Sequence, residues 1–471
     1  MRRALLVFVM LLTVMPLTAQ RREVAGRITD ASGKPLPGVT VELLQNGETL
    51  RTASSDEEGF FRFDNVDLSR GPHDIRFSVK GFSAGVIPLT TETRQVTSTL
   101  SDLRVELRSE MPLTAAPGPP PPPTPPPPPG PPDEKHAIVP VFYATDRERV
   151  SFQPVSYGVN RNAGERLHLG RFDVSIPRDV HQVGRTERPN IWTFWREDPD
   201  RHLVIVRREE QTYDQFYAQV AGVVAKSARR EAFVFVHGFN VGFEDAVYRT
   251  AQIAYDLNFD GAPILYSWPS VGTLTTYAAD ANNSTWTAEH LRWFLEDVAG
   301  RSGAEAVHLI AHSMGNVPLV RALNEIATRP RSTARPRFRQ VLLTAPDIDA
   351  GVFRQLAAAM TRVGERVTLY ASANDVALRL SKSYQGGYPR AGDTQPEIVR
   401  VAGIDSIDVS SVDTNFIGHF YYAENRSVLS DMMRLIRTGN PPAERCGLTP
   451  VGEPAEQYWR FVARAICPLD S

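Results

Sequence analysis

Cysteine is almost absent from this chain: two residues, Cys446 and Cys467, in 471. Two thiols exclude a disulfide-dense scaffold and a four-thiolate zinc site. An excess of charge of either sign is also missing. Fifty-two lysines and arginines face 54 aspartates and glutamates, a net of −2. Without a basic excess, nucleic acid is not an expected partner. No motif implies a metal or an organic cofactor. Long apolar runs are lacking beyond the start of the chain, where Met1-Arg2-Arg3 precedes an apolar stretch at residues 4–15. That stretch is short for a membrane span. With Pro16-Leu17-Thr18-Ala19 before Gln20 it reads as a secretory signal peptide cut after Ala19. The expectation is therefore export, to the periplasm or outside the cell, with an uncleaved N-terminal anchor as the alternative. In such a compartment a Cys446–Cys467 bridge is expected to stabilise the tail by about 3 kcal/mol.

A chain of this length is expected to hold more than one domain. Composition divides it into a leader (1–19), a β-rich segment (20–109), a proline-rich linker (110–134), a larger domain (135–439) and a tail (440–471). In the β-rich segment Val39, Val41 and Leu43 alternate with polar residues, as do Phe61 and Phe63, then Ile75, Phe77 and Val79. Asn46-Gly47 supplies a type I′ turn. Short alternating strands between Gly, Pro and Asp turns predict a small β-sandwich. The pieces around Val24–Asp30, Gly33–Val41 and Asp56–Phe63 resemble the carboxypeptidase regulatory-like domain. That resemblance implies a transthyretin-like sandwich without catalysis, serving as a folding or adhesion module or binding an envelope polysaccharide or protein partner. The nearly pure proline run at 117–132 predicts a polyproline II spacer on the order of 50 Å long.

From His136 the pattern changes. Strand-like runs at 136–144, 167–176 and 202–206 come first. Further runs at 231–236, 262–266, 307–311, 340–344, 366–371 and 398–401 then alternate with helical spacing. Alternation of this kind predicts a mostly parallel sheet with helices on both faces. One predicted helix carries Leu291, Phe294, Leu295 and Val298 inward and Glu289, Arg292 and Glu296 outward. The tail is proline-rich, then amphipathic around 458–466.

The larger domain is organised around Ala311-His-Ser-Met-Gly315. A buried strand stops at His312, and Val317, Leu319, Val320, Leu323 and Ile326 open a helix. A strand turning sharply into a helix about a central serine is the nucleophile elbow, although Ala311 stands where its first glycine is usual. Ser313 then needs a base. In the order Ser, acid, His, one histidine follows Ser313 in the whole chain: His419. Asp375, just past the 366–371 run, is the expected acid, and Asp347, past the preceding run, is the runner-up. The amides of Met314 and Phe239 are the expected oxyanion donors. His237 and His312 read as braces. Trp268, Tyr277 and Trp286 are candidate pocket residues, and 384–388 a candidate rim.

Val141–Arg147, Phe235–Asn240, Tyr266–Pro269, Ala311–Asn316, Ala345–Asp349 and Gly418-His419 together resemble a bacterial family of α/β-hydrolase proteins in the esterase/lipase superfamily. The resemblance runs from about 139 to 437, implies a Ser–Asp–His hydrolase domain, and leaves the substrate open. The resulting expectation is an exported serine hydrolase acting on small or lipid-like carboxylic esters. The same residues serve thioester or amide cleavage and acyl transfer. An envelope binding protein with a catalytically idle hydrolase scaffold is the alternative from another class.

Overall fold

A computed structural model describes residues 21–30, 39–45, 48–56, 60–67, 73–79, 82–88, 99–107, 135–162, 164, 166–188, 197–271, 277–329, 336–411 and 426–462. The leader, the Asn46-Gly47 turn, the proline run, His419 with its loop, and Cys467 lie outside these residues. The chain divides into two compact units, 1–120 and 121–471. No helix among the described residues is long and apolar enough to cross a membrane.

The first unit is a transthyretin-like sandwich. Its strands are β1 (Arg21–Asp30), β2 (Thr40–Gln45), β3 (Glu48–Ser54), β4 (Phe60–Asp67), β5 (His73–Val79), β6 (Phe82–Pro88) and β7 (Thr99–Leu107). One sheet has the order β4-β1-β7 and the other β3-β2-β5-β6. The alternation seen in the sequence is the core. Val41, Leu43, Phe61, Phe63 and Ile75 are buried, while Arg62 between the two phenylalanines is exposed. Leu44 breaks the alternation and is also buried, because the β2–β3 register shifts between Leu43 and Leu44.

The second unit holds β8 (His136–Thr145), β9 (Arg147–Phe152), β10 (Val155–Arg161), β11 (His168–Pro177), β12 (Val204–Gln211), β13 (Glu231–Val236), β14 (Ala262–Ser267), β15 (Ala306–His312), β16 (Phe338–Thr344), β17 (Gly364–Ala371), β18 (Ile404–Asp408), β19 (Leu448–Val451) and β20 (Tyr458–Phe461). Eleven of these form one sheet in the order β12-β11-β8-β14-β13-β15-β16-β17-β18-β20-β19. The run from β8 to β20 is parallel, and antiparallel strands finish each edge. Central strands are buried on both faces, so they read as continuous apolar runs. Val234, Val236, Leu309 and Ala311 face one core, while Phe233, Phe235 and Ile310 face the other. The first core is covered by helices Tyr213–Val224, Ala288–Arg301, Asn316–Thr328 and Ala350–Met360. The second is covered by Phe243–Asp256 and Arg426–Thr438.

Three expectations need correction. Arg292 faces inward: its side chain is 3 % exposed and ion-paired with Glu296 and with Glu325 of the next helix, a non-local partner that helical periodicity cannot anticipate. Residues 398–401 are not a strand. Ile398 and Val399 are buried, but the chain turns at Gly403 (φ +81°), and 404–408 makes the ladder with β17. The tail, set apart from the larger domain at residue 440, contributes two strands to its sheet, since β20 pairs with β18 and β19 closes the edge. Pro450 sits in that outermost strand, where a missing N–H is tolerated. Cys446 is disulfide-bonded, and the sequence supplies one other cysteine, Cys467.

Candidate active site at the carboxyl edge of the sheet

Open parallel sheets bind ligands at the carboxyl ends of their strands. The ends of β13, β15, β16, β17 and β18 are in register along one edge here. Val236 lies opposite Ala311, His312 opposite Thr344, Thr344 opposite Tyr370, and Ala371 opposite Asp408. Ser313, the loop 345–349 and Asp375 leave that edge from β15, β16 and β17 in turn.

Ser313 has φ +53°, a left-handed conformation that a non-glycine residue rarely adopts. Such strain costs on the order of 1–3 kcal/mol and persists where the surroundings over-determine it. The constraints are specific. Ser313 and Met314 lie in a single 3₁₀ turn, Ser313–Gly315, between β15 and the helix Asn316–Thr328. The Ser313 carbonyl accepts from Asn316 Nδ2 at 2.9 Å and from the Asp347 amide at 3.1 Å. Asn316 Nδ2 also reaches the Thr344 carbonyl at 3.3 Å, tying the turn to β16. A Cβ on Gly315 would lie 2.3 Å from the His237 carbonyl oxygen, and one on Gly238 would lie 2.8 Å from Ser313 Cβ. Only glycine lets the loop after β13 press against the serine turn at both points.

That loop, 237–242, is held by a buried polar network. Trp268 Nε1 donates to the His237 carbonyl at 2.7 Å, and the two rings stack 5.3 Å apart. Arg147, with no exposed surface, donates Nη2 to His237 Nε2 (3.2 Å) and to the Val241 carbonyl (2.7 Å), Nε to Ser267 Oγ (2.9 Å) and Nη1 to the Gly158 carbonyl (3.0 Å). These partners fix the His237 tautomer. The Gly238 carbonyl, 2.8 Å from Nδ1, can only accept, so Nδ1 carries the proton. Arg147 can only donate, so Nε2 is a lone pair. Burial and the neighbouring Arg147 charge accordingly push the His237 pKa down to about 3. Burial also lowers Arg147, to about 10, which leaves it charged at neutral pH.

The two candidate acids are held differently. Asp375 is buried and caps the helix Val376–Tyr384, its Oδ1 accepting the Leu378 amide at 3.0 Å. Asp347 is engaged on both oxygens. Oδ1 accepts from Arg390 Nε (2.7 Å) and Ser381 Oγ (2.6 Å), and Oδ2 accepts from the Tyr277 hydroxyl (2.7 Å). Burial and the Asp347 charge raise the Tyr277 pKa, which keeps its proton in place.

The three candidate pocket residues separate. Tyr277 stands beside the site, 5.3 Å ring to ring from Phe239. Trp268 is fully buried and supports the 237–242 loop from beneath, so it offers no surface to a ligand. Trp286 packs on His290 and under Arg161, at the far end of its helix from Tyr277. Tyr384 and Tyr388 are exposed, and the Tyr384 ring stacks on that of Tyr277 at 6.5 Å. Asn316, Arg147 and Arg390 were not singled out from the sequence. The Asn directly after His-Ser-Met-Gly, and the Arg two residues past a buried strand run, were the visible signals.

Residues 213–438 match the family model described as an alpha/beta hydrolase of unknown function (DUF900). Residues 23–106 match that of the carboxypeptidase regulatory-like domain. No curated protein matches. Among solved structures, 5-hydroxyisourate hydrolase of Klebsiella pneumoniae is 25 % identical, with 14 % of this chain and 76 % of that one covered and a TM-score of 0.13. Carboxylesterase CesB of Bacillus subtilis is 11 % identical, with 45 % and 85 % covered and a TM-score of 0.25. At such TM-scores these two likenesses carry no weight for function.

Proposed function

Because the chain carries an α/β-hydrolase domain of a family of unknown function behind a carboxypeptidase regulatory-like domain, we propose that it is a serine hydrolase cleaving carboxylic esters. One observation carries this reading: Ser313 is strained, φ +53°, on a strand-to-helix turn packed against a glycine backbone. A serine kept in that conformation by so many contacts is the arrangement a presented nucleophile requires.

In this reading Ser313 Oγ attacks the ester carbonyl and His419 takes its proton. The amides of Met314 and Phe239 stabilise the oxyanion. The C–O bond to the alcohol breaks as His419 protonates the leaving oxygen, and an acyl-enzyme remains. Water, deprotonated by His419, releases the acid and restores the serine. Asp375 holds the imidazolium. Arg147, Trp268 and His237 hold the loop that presents the Phe239 amide. The leader directs export, and the sandwich engages an envelope polysaccharide or protein.

The test is covalent labelling of the full chain by a fluorophosphonate. Ser313 should be labelled, and Ser313→Ala should abolish labelling and lower ester hydrolysis by about 10⁶-fold, the scale at which a lone missing nucleophile disables a triad. Near-native hydrolysis by Ser313→Ala would remove the proposal.

A further inference from the structure

Beside the strained serine lies a cavity of about 160 Å³ to which the reaction above gives no role. Met314 forms one wall, and Val317 and Arg321 line it from the following turns of the same helix. Ser284 lines it from the helix Tyr277–Trp286, and Asp349 from the loop after β16. A group attached to a carbonyl whose oxygen sits at the Met314 amide would have this cavity as its neighbour.

Most polar groups around the cavity already have partners. Asp347 is held by Arg390, Arg390 Nη1 donates to Gln385 Oε1 at 3.1 Å, and Gln385 Nε2 donates to the Tyr277 hydroxyl at 2.6 Å. Asp349 Oδ1 caps the next helix through the Val352 amide at 2.9 Å. Arg321 differs. It is half-buried, and it makes no ion pair with any described residue. Its Nε is buried without an acceptor among the described residues. That atom has no surface toward the cavity, so the donors left for a ligand are the Nη groups, which have no partner among the described residues and call for an acceptor oxygen.

Size sets the second condition. At about 30 Å³ per water, the space holds roughly five water-sized groups. A chain of eight or more carbons overruns it. The Asp347–Arg390 pair neutralises itself, and Arg321 faces a cavity that also contains Asp349, so a neutral acceptor is better matched than a second carboxylate. We propose that the cavity is the acyl subsite and that it takes a short acyl group bearing an ether, hydroxyl or carbonyl oxygen, bonded by Arg321, in preference to a long alkyl chain. This rests on the serine-hydrolase reading.

The experiment compares p-nitrophenyl methoxyacetate with p-nitrophenyl butyrate, which differ by an oxygen in place of a methylene. It uses the full chain and its Arg321→Met variant. Taking the ratio of the two kcat/KM values and comparing it between proteins cancels the intrinsic reactivity of each ester. The ratio should fall at least about tenfold in Arg321→Met, the discrimination one charge-assisted hydrogen bond supplies. p-Nitrophenyl octanoate should be at least about tenfold poorer than the butyrate in the unaltered protein. An unchanged ratio, or octanoate cleaved as well as butyrate, would overturn the proposal. Arg321→Gln must give the same fall if the Met variant does not fold. Fluorophosphonate labelling judges the hydrolase reading separately. If labelling fails, saturation-transfer NMR with methoxyacetamide and butyramide still decides the cavity. Preference for methoxyacetamide, lost in Arg321→Met, sustains the site, and equal binding of the two sinks it.

Discussion

The loops after β16 and β17 leave the same sheet edge side by side, and each carries a buried aspartate. Their carboxylates are used differently. Asp347 receives Arg390, Ser381 and Tyr277, and its own amide holds the Ser313 carbonyl. It locks a helix, a loop and the Ser313 turn into one unit. Asp375 gives Oδ1 to a helix cap. A carboxylate that already anchors a guanidinium and two hydroxyls has three of its roughly four acceptor sites occupied, which leaves little freedom to orient an imidazole. The difference teaches that Asp347 serves this edge as a support, while Asp375, on the loop after β17, is the acid proposed above.

The sharpest way to break this comparison is Asp375→Asn. Asparagine caps helices as well as aspartate does, so the fold and the Leu378 contact should survive while the charge is lost. In the serine-protease triad the same exchange costs about 10⁴ in kcat by favouring the wrong histidine tautomer. A loss of that order is expected here with p-nitrophenyl esters. A loss under tenfold would take Asp375 out of the mechanism.

Asp347→Asn should behave in the opposite way. It leaves Arg390, whose side chain is 3 % exposed, without its counter-charge. Breaking a buried pair from one side costs about 3–5 kcal/mol. Urea unfolding should show that loss, while the protein that remains folded keeps its activity within about a hundredfold. A severe activity loss at Asp347 with unchanged stability would exchange the two roles.

How much of this was legible in the sequence depends on how local the cause is. The strand run into Ser313, the small residues around it and the helical spacing after it are local, and they located the turn. The sandwich core was equally readable, because alternation is a property of neighbours. Arg147 could not be read that way. The partners of its guanidinium lie 11, 90, 94 and 120 residues away, and nothing nearby indicates that the charge is buried. Trp268 failed for a related reason: a tryptophan at a strand end looks the same whether its upper face meets a ligand or, as here, a histidine ring. The strand 404–408 was hidden by its two aspartates, while the apolar 398–401 run beside it is buried without a ladder. Burial alone does not make a strand, and short apolar runs carry no period to decide between the two.

The support side of the comparison also has a pH signature, the smallest effect expected. His237 is neutral in the folded protein, with its pKa pushed down from 6.5 to about 3 by burial and Arg147. The unfolded chain binds a proton there first, so this contribution is complete above pH 6.5 and declines as pH falls toward 3. At pH 4.5 the decline amounts to about 2–3 kcal/mol. His181 runs the other way. Its Nδ1 lies 2.8 Å from Glu187 and its Nε2 2.8 Å from Asp256. Burial alone would lower its pKa, but the two carboxylates outweigh that and raise it to about 9. Its contribution is complete below pH 6.5 and is lost as pH rises through 9. Urea midpoints measured from pH 4 to 10 should therefore fall on both sides of neutrality. His237→Gln should flatten the acid limb, and His181→Gln the alkaline one. If His237→Gln leaves the acid limb as steep as before, His237 is not held neutral, and Arg147 does not hold the 237–242 loop in the way described.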